Sequence, residues 1–298
     1  MLIKILCLVA IFAACDGGSV SMARNVNLNK YYIYTRDTHR DPVLLNENDL
    51  PNSSLVPEDD TVVIIHGHAG SAFTSLNPMV LNALLSSEKV NVIVVDWSVY
   101  ASLSYANAVV AVPSVGIAIA RVLSLLEAAS PQQINFNRVH LVGFGLGAHA
   151  AGFAGRELQQ TYNKRVARIT GLDPSGNQWV NNPQRLRSSD ARYVEAIHTD
   201  GTGVNANGIG IRVGHVDFFA NGGGNQPGCS NNACSHNRAY ELFSSSLTHG
   251  GLIGRECETT KQLTSNLCRG FNLELGNNKM NKFGDGMFRV NTGKSYPF

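Results

Sequence analysis

Three glycines, Gly143, Gly145 and Gly147, alternate along five residues near the middle of the chain and constrain the local fold more than any other feature. The apolar run at 138–142 comes directly before them and is typical of a short buried strand. Residues 148–158 follow, and their composition favours a helix. Because glycine has no Cβ, it permits a turn too sharp for other residues. The sequence therefore predicts a strand, a tight turn and a helix in direct succession.

Similar apolar runs recur on both sides of this segment. The predicted strands are 61–65, 90–97, 165–174, 191–199 and 287–290, and the further predicted helices are 78–87 and 106–129. Runs that are apolar throughout belong to parallel strands covered by helices on both faces. We therefore expect an α/β fold with a mostly parallel, doubly wound sheet in one domain, residues 18–298. Pro113 is expected to kink or start its helix, and 287–290 to close the sheet as an edge strand.

The first residues predict export from the cell. A charged start, a ten-residue apolar stretch and small residues after it are typical of a signal peptide, placed here at 1–17. Its removal leaves four cysteines, Cys229, Cys234, Cys257 and Cys268, which allow three disulfide pairings. They include no C-x-x-C pair, so no metal site is predicted. Asn52 begins a glycosylation sequon in a polar stretch, and secretion would expose it to modification.

The charge of the chain bears on its partners. The formal net charge is +2, and no run of basic residues occurs. Nucleic acid, which is bound through clustered lysines and arginines, is therefore not an expected partner.

The glycine turn has the form of a nucleophile elbow, the G-x-S-x-G turn that presents a catalytic serine at the end of a strand. Here Gly145 takes the place of that serine. The two partners of such a serine follow in the required order, an acid and then a histidine, for which Asp173 and His236 are the candidates. Taken alone, Asp173 could form a turn before Pro174, and a single histidine among nine is usually structural.

This chemistry also needs two main-chain N–H groups that stabilise an oxyanion. The residue after the nucleophile supplies one, here Leu146, and a loop after an early strand supplies the other, here His68. Both donors are main-chain groups, so they do not depend on the side chain at position 145. The order and spacing of these residues together predict an ester-hydrolase site that lacks its nucleophile.

At this point the chain resembles the secreted animal lipases of the pancreatic lipase family, especially the short insect members and the venom phospholipases that cleave the sn-1 chain. The matching stretches run in family order from about residue 30 to the end: 64–67, 94–98, 143–147, 171–174, 197–201, 214–219, 221–223, 226–229 and 234–236.

The resemblance implies an α/β-hydrolase fold, with Asp173 as triad acid, His236 as triad base, and His68 and Leu146 as oxyanion donors. It also implies the disulfides Cys229–Cys234 and Cys257–Cys268, and no cofactor. Four residues lie between Cys229 and Cys234, where the long lipases carry a lid. The site is therefore expected to be open, and the C-terminal β-sandwich of the long lipases is expected to be missing.

The missing serine decides the expected function. Ser114 and Ser175 are the nearest substitutes, but neither lies on an elbow. We therefore expect an inactive protein that keeps an apolar cleft for an acyl lipid or fatty acid, with possible peripheral contact with lipid surfaces. Some fly yolk proteins of this family have likewise lost the serine and act in storage and carriage.

Two alternatives stay open at this point. An active triacylglycerol lipase or sn-1 phospholipase is possible if the serine is altered only in this copy. Gly143-x-Gly145-x-x-Ala148 followed by Asp173 also fits a dinucleotide-binding fingerprint.

Overall fold

The structure is a computed structural model that describes residues 28–74 and 76–298. The predicted signal peptide, 1–17, lies outside the described residues. Within them, eleven strands form one sheet: β1 (Lys30–Tyr34), β2 (Val43–Leu44), β3 (Asp60–Ile65), β4 (Val90–Asp96), β5 (Val139–Phe144), β6 (Arg168–Leu172), β7 (Tyr193–His198), β8 (Val216–Ala220), β9 (Ile253–Cys257), β10 (Asn272–Glu274) and β11 (Gly286–Val290).

Helices cover both faces of this sheet. In the described part of the chain the α-helices are α1 (Leu76–Ser87), α2 (Ser98–Ala101), α3 (Tyr105–Ala129), α4 (Leu146–Tyr162), α5 (Asn232–Thr248) and α6 (Thr260–Thr264). One hydrophobic core packs α3 and α4 against the sheet, and a second packs α1 and α5 against the other face. This cover explains why β3 is buried from Thr61 to Ile65 and β4 from Val90 to Val95.

The strand order confirms the predicted α/β fold. Seven neighbouring strands run parallel, in the order β4-β3-β5-β6-β7-β8-β11. Antiparallel pairs complete both edges: β1 and β2 lie beyond β4, and β9 and β10 lie beyond β11. The sheet is therefore parallel at its centre, where the strands that lead to the candidate site lie.

The prediction that 287–290 closes the sheet as an edge strand is wrong. β11 pairs with β8 on one side and with β9 on the other, so it is an interior strand. The sequence did not reveal β9 because its side chains alternate between buried and exposed and include Arg255 and Glu256, so it has no continuous apolar run. An antiparallel strand with one solvated face has this pattern.

α3 is long and apolar enough to cross a membrane, but it is a core helix here, since about half of it is buried. Pro113 was expected either to kink its helix or to start it. It lies inside α3, so it does not start the helix. α3 packs against α4, the helix that begins directly after the elbow. The carboxyl ends of β3, β5, β6 and β7 then meet at one edge of the sheet, where the loops that follow them form the candidate site.

Candidate active site

The elbow between β5 and α4 is as tight as the glycines predict. Gly145 is the single residue between the strand and the helix, with φ of 56° and ψ of −117°. An ideal Cβ at Gly143 would lie 2.2 Å from the carbonyl oxygen of Gly147, and one at Gly147 would lie 2.3 Å from that of Ile65. The outer glycines are therefore required by the close approach of α4 to the sheet.

Asp173 and His236 are brought together from distant parts of the chain. Asp173 follows the end of β6, and His236 lies near the start of α5. The Nδ1 atom of His236 lies 2.5 Å from Oδ2 of Asp173. The other carboxylate oxygen, Oδ1, accepts hydrogen bonds from the main-chain nitrogens of Thr199 at 2.8 Å and Asp200 at 3.1 Å. The buried carboxylate is therefore fixed, and it orients the imidazole ring.

The free face of His236 points at the elbow. An ideal Cβ at Gly145 would lie 3.2 Å from Nε2 of His236. The ring also contacts Phe144, with 4.4 Å between ring centroids, and its side chain is 16% exposed. The acid, the histidine and the nucleophile position therefore have the arrangement of a triad, with only hydrogen in place of the nucleophile.

Asp200 is a residue of this site that the sequence analysis did not single out. Its Oδ2 accepts hydrogen bonds from the main chain and side chain of Asn207, and its Oδ1 accepts one from Asn232 on α5. Burial raises the pKa of Asp200, while the bonds from Asn207 act in the opposite direction. Asp200 thus ties the loop after β7 to the helix that carries His236. In the sequence, Asp200 was marked only by its position within the family-matching stretch 197–201.

Ser175 lies closer to the elbow than the sequence analysis expected. Its Oγ would lie 3.4 Å from an ideal Cβ at Gly145. Its main-chain nitrogen donates to the carbonyl of Gly145 at 3.2 Å. The Ser175 hydroxyl also adjoins that of Tyr105, whose pKa is raised by burial and lowered by this neighbour. The chain turns back after Pro174 and brings Ser175 into contact with Gly145. This contact joins residues 30 positions apart, so no local sequence pattern predicts it.

His149, on α4, fixes the main chain of Ser175 through a hydrogen bond. Its Nε2 donates to the Ser175 carbonyl at 2.9 Å, and its Nδ1 accepts from the main-chain nitrogen of Leu186 at 3.1 Å. The ring stacks on Trp179 with 4.1 Å between centroids. Burial lowers the pKa of His149 to about 3, so the ring is neutral in the folded protein at ordinary pH.

The two expected oxyanion donors are free for a ligand. Among the described residues, no acceptor is bonded to the main-chain nitrogen of His68 or Leu146. Leu146 is the first residue of α4, where helical geometry leaves N–H groups without partners. The side chain of His68 is fixed separately, by a hydrogen bond from Nε2 to the Leu103 carbonyl at 2.9 Å.

One cleft with a volume of about 710 Å³ is lined by His68, Gly145, Ser175 and His236. Small-molecule sites typically enclose about 300–1,000 Å³. The expectation of an apolar cleft is wrong for much of its wall, which also contains asparagines from the loops over the sheet edge. The aromatic residues of the lining are Tyr105, Phe144 and Tyr240, and its asparagines are Asn177, Asn205, Asn207 and Asn237. None of the described lining residues is a lysine, arginine, aspartate or glutamate.

Comparisons with known proteins agree with this geometry. A family model described as Lipase matches residues 22–295. The chain belongs to the lipase family. Phospholipase A1 member A of Bos taurus is 33% identical over 267 residues, which cover 85% of this chain and 56% of that protein. Pancreatic triacylglycerol lipase of Homo sapiens is 33% identical over 275 residues, which cover 82% and 57%. This lipase-family chain thus spans a little over half the length of these relatives.

Pancreatic lipase-related protein 2 of Homo sapiens is also similar, at 33% identity over 268 residues, which cover 80% of this chain and 56% of that protein. Among solved structures, an alpha/beta hydrolase from a Medee basin deep-sea metagenome library is 17% identical with a TM-score of 0.33, covering 55% of this chain and 63% of that one. The family match confirms the resemblance drawn from the motifs and the α/β-hydrolase fold that it implied.

The lipase-family protein contains both implied disulfides, Cys229–Cys234 and Cys257–Cys268. The first joins Cys229, in the loop before α5, to Cys234 in the first turn of α5, the helix that carries His236. Asn52, the sequon residue, is exposed at the end of a short 3-10 helix, and its glycosylation remains a prediction. In residues 28–74 and 76–298, no group of three histidine, cysteine or acidic side chains is placed to hold a metal ion.

The dinucleotide alternative does not fit this site. In that fold the acidic residue after the second strand binds a ribose hydroxyl. Both carboxylate oxygens of Asp173 already bond within the lipase-family protein, to His236 and to two main-chain amides. The family match accounts for the glycines instead.

Proposed function

We propose that this lipase-family protein is secreted, binds an acyl lipid in its cleft, and does not hydrolyse esters at the rate of a lipase. One observation carries the proposal: Gly145 stands where the nucleophile belongs, with Nε2 of His236 only 3.2 Å from the point of its absent Cβ. Loss of the nucleophile from a triad lowers turnover by about a millionfold. The other parts of the site remain: the cleft, the acid–histidine pair and the two free amides. Such groups can bind an ester or an acid without cleaving it.

The first test is an ester assay on the purified protein. With p-nitrophenyl butyrate or a phospholipid, we expect turnover far below about one per second, the lower end for ordinary enzymes. Gly145→Ser is expected to raise it by at least about a hundredfold, because the other groups are in place. For that serine to fit, the His236 side chain moves by a few tenths of an ångström.

A matched control is Gly251→Ser. Gly251 also has a positive φ, 74°, and no atom lies within 4 Å of its ideal Cβ, so the same exchange there should leave activity unchanged. Lipase-like turnover in the unmodified protein would contradict the proposal. No gain in the folded Gly145→Ser variant would mean that Asp173 and His236 do not act as a triad pair.

The position of Ser175 favours a second candidate, an ester hydrolase that uses Ser175 as its nucleophile. Its Oγ is 3.4 Å from the point where Cβ of residue 145 would stand. Against it, Ser175 follows Pro174 outside the elbow, and among the described residues no hydrogen bond joins its hydroxyl to His236. Ser175→Ala decides between them: hydrolysis that disappears in this variant would support the second candidate.

A further inference from the structure

The absent side chain leaves a small space with hydrogen-bonding groups on two sides. From the point of an ideal Cβ at Gly145, Nε2 of His236 is at 3.2 Å and Oγ of Ser175 at 3.4 Å. The third nearest atom to the same point is Cε1 of His236, at 3.7 Å. An oxygen atom placed at this point would therefore lie within hydrogen-bonding reach of both side chains.

Two further main-chain donors belong to the site, since His68 lines the same cleft and Leu146 directly follows Gly145. The main-chain nitrogen of Leu146 belongs to the peptide that follows Gly145, and neither it nor that of His68 has an acceptor within the described residues. The cleft wall contains no acidic side chain among its described residues, and the carboxylate of Asp173 lies behind His236 with its oxygens occupied. The arrangement thus offers hydrogen-bond donors to a ligand oxygen without a facing negative charge.

We propose that the cleft is selective for the free carboxylate of a long-chain fatty acid over the corresponding ester. One carboxylate oxygen accepts from the amides of His68 and Leu146. The other occupies the space above Gly145, where it accepts hydrogen bonds from the Ser175 hydroxyl and from Nε2 of His236, which takes up one proton from the solvent as the carboxylate binds. Asp173 holds the opposite side of that ring at 2.5 Å and balances its charge. This assignment rests on the proposed function, because it names the ligand of the same cleft.

An ester is a poorer fit for chemical reasons. A carboxylate presents two terminal oxygens, and hydrogen bonds to a charged acceptor are roughly twice as strong as neutral ones. An ester carbonyl can satisfy the two amides, but its second oxygen is a weak acceptor that carries the alcohol. That alcohol would have to enter the space beside His236 and Ser175. The aromatic rings of Phe144 and Tyr240 line the cleft in either case and can contact the acyl chain.

The experiment compares palmitic acid with methyl palmitate by isothermal titration calorimetry. We expect the acid to bind at least about tenfold more tightly, the difference given by one additional charged hydrogen bond. Gly145→Ala places a methyl group in the space, so it should weaken the acid more than the ester and abolish the preference. Ser175→Ala should weaken the acid several-fold and leave the ester unchanged. Gly251→Ala is the matched control and should keep the preference.

The outcomes separate this inference from the proposed function. Equal affinity of the acid and the ester for the unmodified protein overturns the carboxylate assignment and leaves lipid binding standing. Binding of neither ligand overturns both. An acyl adduct on Ser175, found by mass spectrometry after incubation with the ester, also overturns both, because it makes Ser175 a nucleophile. If Gly145→Ala does not fold, the Ser175→Ala comparison decides the question alone.

Discussion

At the scale of single residues, the three glycines of the elbow have different reasons to be glycine. A Cβ at Gly143 or Gly147 would overlap main-chain atoms of a neighbouring segment. A Cβ at Gly145 would meet only the side chains of His236 and Ser175, at distances that need little adjustment. Packing therefore requires glycine at the outer positions, whereas at position 145 only the positive φ favours it. The loss of the nucleophile is not forced by the fold.

This contrast gives a stability prediction. Gly143→Ala should lower the free energy of unfolding by about 3 kcal/mol or more, because its Cβ would lie 2.2 Å from a carbonyl of the chain and force α4 away from the sheet. Gly145→Ala should cost about 1–3 kcal/mol, because φ of 56° with ψ of −117° is a sparsely populated backbone region for an L-residue. Urea unfolding followed by circular dichroism measures both. Equal losses would mean that the elbow relaxes more easily than its contacts indicate.

At the scale of elements, the carboxyl-end loops are held together by α4 and α5, and His149 is the contact through which α4 acts. It joins the Ser175 loop to Leu186 with two hydrogen bonds. The ring must stay neutral for this, since its Nδ1 accepts a hydrogen bond. The placement of Ser175 in the cleft therefore depends on a buried histidine outside the cleft.

Acid should weaken this connection. The pKa of His149 is lowered by burial to about 3, while an unfolded histidine has a pKa of 6.5. Below pH 6.5 the unfolded chain takes up a proton that the folded protein refuses, so stability present above pH 6.5 is lost as the pH falls toward 3. The maximal slope from this group is about 1.4 kcal/mol per pH unit.

The measurement is urea unfolding between pH 4 and pH 8 in the protein and in His149→Gln. Glutamine can donate to the Ser175 carbonyl but does not titrate. The variant should be less stable at pH 8 and should lose stability more slowly with acid. Parallel pH profiles for the two proteins would show that His149 takes up no extra proton on unfolding.

The same scale shows what the sequence could predict. Strands β3 to β7 were found because their runs are apolar on both faces, and the elbow because its glycines are local. Five strands were not predicted. β2 and β10 are short edge strands, β1 and β9 mix buried and exposed residues, and β8 entered only as part of a family stretch. The family motifs identified Asp173 and His236. They did not identify the contacts of Ser175, which depend on how the loop after Pro174 folds over Gly145.

At the scale of the whole molecule, large apolar side chains are exposed beside the cleft. Phe73 and Val204 precede the lining residues Thr74 and Asn205, and the carbonyl of Leu103 accepts the hydrogen bond from His68. Val204 is 84% exposed and Phe73 59% exposed. Apolar side chains exposed around the mouth of a cleft favour peripheral contact with a lipid surface.

We therefore expect serine at positions 73, 103 and 204 to reduce binding to phosphatidylcholine vesicles by at least about tenfold. The triple variant would bury less apolar surface against the lipid than the unmodified protein. Vesicle sedimentation measures the bound fraction. The matched control exchanges Leu267, Phe271 and Phe283, which are comparably exposed but are not next to lining residues of the cleft in the sequence. Equal losses in the two triple variants would mean that the molecule has no preferred lipid-facing side.

The contact between Asp173 and His236 has an evolutionary consequence. A single base change converts some glycine codons into serine codons. If the pair is kept because it holds a carboxylate, selection for carriage also preserves the parts of a hydrolase. A population with this gene then stays one point mutation away from an enzyme, and a gain of activity at position 145 would replace retention of a fatty acid with its release from esters.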